Sequence, residues 1–201
     1  MPRITRRSVL VLLAGAPALS ESGAADMRRI EQEVVAAYLN SLVVPDQQQI
    51  KTLILSSATA TADEAFVGSG SRFARLSQDF PEATRAVIED FLAVTQTSTT
   101  LLIPSELVRR ELRWQVASER RLNRIFDLPS LEQAWEQFYK EYPQATGVTR
   151  FSRVGVDGNS TQALLYFSMT PGGLGGAGFF VLMHRRLGIW RVLSSKQAWI
   201  S

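Results

Sequence analysis

The chain has 201 residues, 45% hydrophobic and 20% charged, with a formal net charge of +3, one histidine and no cysteine. This is globular composition, and a chain of this length buries about 70% of its unfolded surface without disulfides or a structural metal. Thiol nucleophiles, cysteine metal sites and multi-histidine metal centres are excluded, and nothing in the sequence calls for a cofactor.

The first 25 residues read as a cleavable export signal. Arg3, Arg6 and Arg7 form a basic region, Val9 to Leu19 an apolar run, and Ser22-Gly23-Ala24 or Gly23-Ala24-Ala25 a small-residue cleavage site. Eleven apolar residues are too few to span a hydrocarbon core, which takes about 20 as helix. Thr5-Arg6-Arg7-Ser8-Val9-Leu10 is also similar to a twin-arginine signal, with Val9 at a position usually held by Phe, so both that route and the general secretory one stay open. The expected product, residues 26–201, is a single α+β domain in the periplasm or outside the cell, with no transmembrane segment. Losing three arginines and Glu21 leaves 19 basic and 18 acidic residues, a net +1, which removes any electrostatic case for nucleic acid.

Asp26 stands at an N-cap position, and Ile30, Val34, Ala37, Tyr38 and Leu42 follow at helical spacing, predicting a helix over 27–43 that Val44-Pro45-Asp46 ends. Residues 50–57 are expected as a strand and 58–72 as an exposed loop. Phe80-Pro81-Glu82 opens a second helix with Val87, Ile88, Phe91 and Leu92 as its buried stripe. Residues 99–103 are expected as a short strand, and Ser105 caps a third helix reaching Phe126. Ser130 with Gln133 forms a capping box for a fourth helix, which stops before Pro143. Four antiparallel strands follow over 148–156, 162–169, 178–184 and 189–194. Their connections are Asp157-Gly158-Asn159, the glycine-rich stretch 171–177 and Arg186-Leu187-Gly188. The predicted fold is α+β, with N-terminal helices packed on one face of a mostly antiparallel sheet that ends in a C-terminal four-stranded meander.

Several residues invite a functional reading. The run Pro171-Gly172-Gly173-Leu174-Gly175-Gly176-Ala177-Gly178 joins strand to strand, not strand to helix, so it is no phosphate loop. It reads as a long hairpin connection, or as backbone that approaches a ligand or partner closely, which marks Gly172, Gly173, Gly175 and Gly176. On the expected third helix Arg109, Arg113, Arg120 and Arg124 fall within about 60° of one another. They form a basic face suited to an anionic polymer or an acidic envelope partner, or else a solvated face with internal ion pairs. His184 ends an apolar strand; a serine relay would need Asp157 or another carboxylate to orient it. Trp135, Phe138, Tyr139 and Tyr142 recur at helical spacing that forms a core face or, if exposed, stacks on sugar rings, and Glu132 with Glu136 shows no glycosidase pattern. Asn159-Ser160-Thr161 matches a glycosylation acceptor by coincidence, and Arg153 either pairs with a carboxylate or serves a site.

The stretch Trp135-x-x-Phe138-Tyr139-x-x-Tyr142-Pro143, then Gly147, Ser152-Arg153-Val154-Gly155, Gln162-Ala163-Leu164-Leu165-Tyr166, Gly172-x-Leu174-x-Gly176-x-Gly178 and Gly188-x-Trp190-x-Val192 resembles a group of uncharacterised exported bacterial proteins. The resemblance implies export and fold and carries no activity. Members of that group have cysteines where Pro171 and Gly175 stand here, implying a disulfide staple that this chain lacks. The expected function is therefore a non-catalytic envelope protein that binds a partner or ligand. An envelope-polymer hydrolase and a small apolar-ligand carrier are the alternatives.

Overall fold

The computed structural model describes residues 21–42, 52–66, 68, 70–101, 103, 105–108, 112–173 and 175–201. The basic and apolar regions of the expected signal, the expected Val44-Pro45-Asp46 stop, Arg109, Arg110, Glu111 and Leu174 lie outside the described residues. The fold is α+β: helices dominate the first part of the chain, and one mixed sheet in the order β2-β1-β3-β5-β6-β7, with β4 on β5, takes the rest.

α1 (Glu21–Ser41) starts inside the segment assigned to the signal and runs through Asp26, so Asp26 caps nothing. Glu21, Ala24 and Ala25 are good helix formers, and nothing among them stops propagation. The helix buries Ile30, Val34, Val35, Tyr38 and Leu39 on one stripe. β1 (Thr52–Ser56) lies parallel to β2 (Trp114–Ala117) on one side and β3 (Ala145–Phe151) on the other. From β3 onward the pairing is antiparallel, through β5 (Gln162–Gly172), β6 (Gly175–Arg186) and β7 (Ile189–Ile200), while β4 (Gly155–Val156) pairs with β5 alone.

Helices cover both faces of the sheet, not one. Alternate residues Leu53, Leu55, Ala163, Leu165, Val181 and Met183 meet α1. Their neighbours Leu164, Tyr166, Phe180 and Leu182 meet α2 (Ala62–Ala65), α3 (Arg72–Asp79) and α4 (Arg85–Val94). Ile54 and Val148 on β1 and β3 meet α5 (Glu119–Phe126) and α6 (Leu131–Glu141). Residues 163–168 are consequently all buried, and the strand reads as an unbroken apolar run because neither face sees water. Each large side chain so buried contributes about 1.5–3 kcal/mol.

The other differences from expectation lie between α1 and α6. Residues 58–72 are not an exposed loop: Ala60, Ala62, Ala65 and Phe66 are buried, and the segment holds α2 and the Ser71 cap of α3. α4 starts at Arg85, where the Thr84 hydroxyl accepts from Val87 N–H at 3.3 Å, four residues after the proline that seemed to open it. Among the described residues of 99–103, the segment supplies one bridge, Thr100 to Ala58, and no strand. The expected third helix over 105–126 is instead a 3-10 turn at Ser105–Leu107, then β2, then α5. Trp114, Gln115 and Val116 pair with the open side of β1, and that pairing overrides the helical spacing of the surrounding arginines.

Candidate functional site

The glycine-rich segment is a tight hairpin, and its glycines do different things. β5 continues to Gly172 and β6 resumes at Gly175, with those two paired, so the connection is only two residues long. Gly172 has φ +151°, a backbone state that a side chain strains. Tyr139 Oη donates to Pro171 O at 2.7 Å and ties the tip to α6. At Gly173 a Cβ would stand 3.2 Å from Leu131 Cδ2 and 3.4 Å from Trp135 Cδ1, so the tip presses directly on the first turns of α6. Gly175 faces Pro171 across the hairpin, 4.0 Å from its Cγ to a Cβ position. Gly176 and Gly178 serve packing instead: Cβ atoms there would meet the Trp199 indole at 3.0 and 2.4 Å. That indole donates to Tyr166 Oη at 2.7 Å.

Under the tip lies a groove of about 320 Å³. α5 supplies Leu122, Asn123 and Phe126, α6 supplies Leu131 and Trp135, and β3 supplies Val148 and Arg150, with Gly172 and Gly173 as the rim. Ser118 and Ser130 start the two helices by accepting from Arg121 N–H at 3.3 Å and Gln133 N–H at 3.2 Å. The two caps aim α5 and α6 so that Phe126 and Trp135 meet edge to face, 4.9 Å between centroids. Leu131 is 56% exposed at the mouth, whereas Trp135 is 8% exposed and its Nε1–H, beside the Gly173 tip, has no hydrogen-bond partner among the described residues. Arg150 is held by Glu119 at 2.8 Å, and the other Glu119 oxygen accepts from Ser56 Oγ at 2.6 Å.

The arginine face is divided. Arg109 lies outside the described residues, and Arg113 precedes β2, where its Nη1 donates to Gln144 Oε1 at 3.5 Å. Arg120 and Arg124 stay together, one turn apart and exposed on α5. Arg121 beside them is neutralised by Glu141 at 2.7 Å. Hydrogen bonds from Gln137 and Arg121 hold the Glu141 carboxyl below its ordinary range. Of the expected contact surface, the structure thus brings Gly172, Gly173, Arg120 and Arg124 to the α5–α6 side and leaves Arg113, Gly175, Gly176 and His184 elsewhere.

His184 sits on β6 between Gln162 of β5 and Arg191 of β7, on the face of Phe180 and Leu182. It does not line the groove. Asp157, the carboxylate a relay would need, accepts from Thr161 N–H at 2.6 Å, Thr161 Oγ1 at 2.6 Å and Gln162 N–H at 2.9 Å, which commits it to closing a turn. Sequence reasoning missed Leu131 and Arg150, and read Trp135 from its spacing as core face or sugar-stacking aromatic. The aromatic spacing does bury Trp135, Phe138 and Tyr142, but the unpartnered indole N–H depends on which backbone lies over it, and no spacing reports that. No family model, curated protein or solved structure matches the chain.

Proposed function

We propose that this chain is an exported, non-catalytic binding protein that holds an envelope partner or ligand in the groove between α5, α6 and the β5–β6 tip. The observation that carries the reading is a groove walled by Leu122, Phe126, Leu131 and Trp135, where the Trp135 indole keeps a buried N–H without a partner among the described residues. A buried donor left unpaired costs about 1–3 kcal/mol, and a bound acceptor at this wall recovers it. Apolar walls with one oriented donor are the general form of a small binding site. Arg120 and Arg124, on the helix that supplies Leu122 and Phe126, give the occupant's acidic groups a complement. The apolar walls also favour a second reading, a carrier of a small apolar ligand with one acceptor group. The basic and apolar N-terminal pattern and the resemblance to exported bacterial proteins support the export half of the proposal.

A photo-crosslinking amino acid placed at Leu131 in the full-length precursor, with Leu187 as control, tests it in the cell. Leu187 stands fully exposed at the β6–β7 turn, away from the groove. The expected result is one discrete adduct from position 131 and none from 187, weakened about tenfold by Trp135→Phe, which keeps the ring and removes the donor. A protein or polymer adduct supports the partner, and an adduct of small added mass the carrier. Equal labelling from both positions, or none from 131, sinks the proposal.

A further inference from the structure

A second cleft, of about 360 Å³, opens where α1 passes the break between β3 and β4, and its lining is more polar than the groove's. Its centre is Arg153, which donates through Nε and Nη2 to Glu31 Oε1 at 3.1 and 2.8 Å. The pair fixes the plane of the guanidinium and leaves Nη1 with no partner among the described residues. Arg28, one turn earlier on α1 and exposed, also lines the cleft and makes no ion pair among the described residues. Gln32 and Thr100 line it with side chains that make no hydrogen bond among the described residues, while Thr59 Oγ1 already accepts from Thr99 N–H at 2.8 Å. Ser152 is not a nucleophile here: its Oγ donates to Arg153 O at 2.6 Å and accepts from Tyr166 N–H at 2.8 Å. Val35, Leu101 and Val154 add a narrow apolar strip.

These groups define the chemistry of an occupant. Two arginines and one glutamate leave the cleft at net +1, which matches a monoanion and repels a second negative charge at Glu31. A guanidinium with a free edge pairs with a planar carboxylate. Amide and hydroxyl groups around an apolar strip suit a body that carries hydroxyls on one side and C–H groups on the other. We infer that the cleft between α1 and the β3–β4 break is a binding site for a small hydroxylated monocarboxylate, of the size and chemistry of a sugar acid. The site is separate from the groove, and the inference does not depend on the groove's occupant.

Isothermal titration of the full chain with glucuronate, glucose and inorganic phosphate tests the inference. Glucuronate is expected to bind saturably, and glucose and phosphate at least about tenfold more weakly. Arg28→Gln, at an exposed position with no ion pair to lose among the described residues, is expected to weaken glucuronate about tenfold with an unchanged melting temperature. Arg153→Lys keeps the charge and loses the fork, and is expected to weaken it further. Absence of saturable glucuronate binding below about 10 mM overturns the site. Binding unaffected by Arg28→Gln overturns its location, and phosphate binding tighter than glucuronate overturns the monoanion assignment.

Discussion

Gly178 and Glu31 show how single residues are set by what lies over them. A methyl at Gly178 would stand 2.4 Å from Trp199 Nε1 and 2.7 Å from Tyr166 Oη, so Gly178→Ala must displace the indole and break its hydrogen bond. The expected cost is about 1–3 kcal/mol in denaturant unfolding, with a red shift of the Trp199 fluorescence. No shift in either would mean that the indole has another place to go. At Glu31, burial outweighs the nearby Arg153 and, with a smaller push from Asp90, raises the carboxyl above its ordinary value of 4.5. The folded chain therefore holds that proton more tightly than the unfolded chain. Its contribution to stability is present below 4.5, falls as pH rises, and is gone once pH passes the raised folded value. Wild type should accordingly lose stability relative to Glu31→Gln across that window, followed by melting temperature at a series of pH values. Parallel curves, or a gain, would mean that the attraction of Arg153 prevails. Residue types announced the Arg153 alternative of a carboxylate partner, but not which carboxylate, because Glu31 is 122 residues away in the chain.

Elements were legible where local chemistry decides them. Ser130 begins α6 as its sequence indicates, and the β-rich texture after Gly147 emerges as strands, although the expected strand 148–156 divides into β3 and β4 and β7 runs on to Ile200. Capping was also decisive where it was overlooked: Ser118 starts α5, eight residues that would not persist as an isolated helix. Ser118→Ala is expected to cost about 1 kcal/mol, seen as a lower urea midpoint at unchanged slope, and Ser118→Asp to restore it. Because α5 carries Leu122 and Phe126 into the groove, the alanine variant should also weaken binding there, while an unaltered midpoint would show that packing alone positions α5. The segment 105–126 was misread for a reason of the same kind. Arginines at helical spacing describe a surface, and β2 forms because β1 offers it a side, a fact located some 60 residues earlier.

At the level of the molecule, the α+β class follows from the order of textures along the chain, but the covering of both sheet faces does not. Continuous burial along β5 and β6 carried that signal, since a strand with one wet face alternates and these do not. β7 is the outermost strand, yet α1 packs on it, Arg185 meets Glu33 at 3.4 Å beside it, and Trp190 joins the cluster of Val34 and Tyr38. A chain ending at Gly188 is therefore expected to lose cooperative thermal unfolding and to bind apolar dye; a sharp transition in that variant would make β7 an accessory. The strand order has a temporal meaning as well. β1, made early, is held between strands made from residues 114–117 and 145–151, and the first helix waits for the last strand. Folding cannot run ahead of synthesis in such a chain: until β7 emerges, α1 lacks a partner and the sheet lacks a strand, so a chain still being made stays open to whatever meets it.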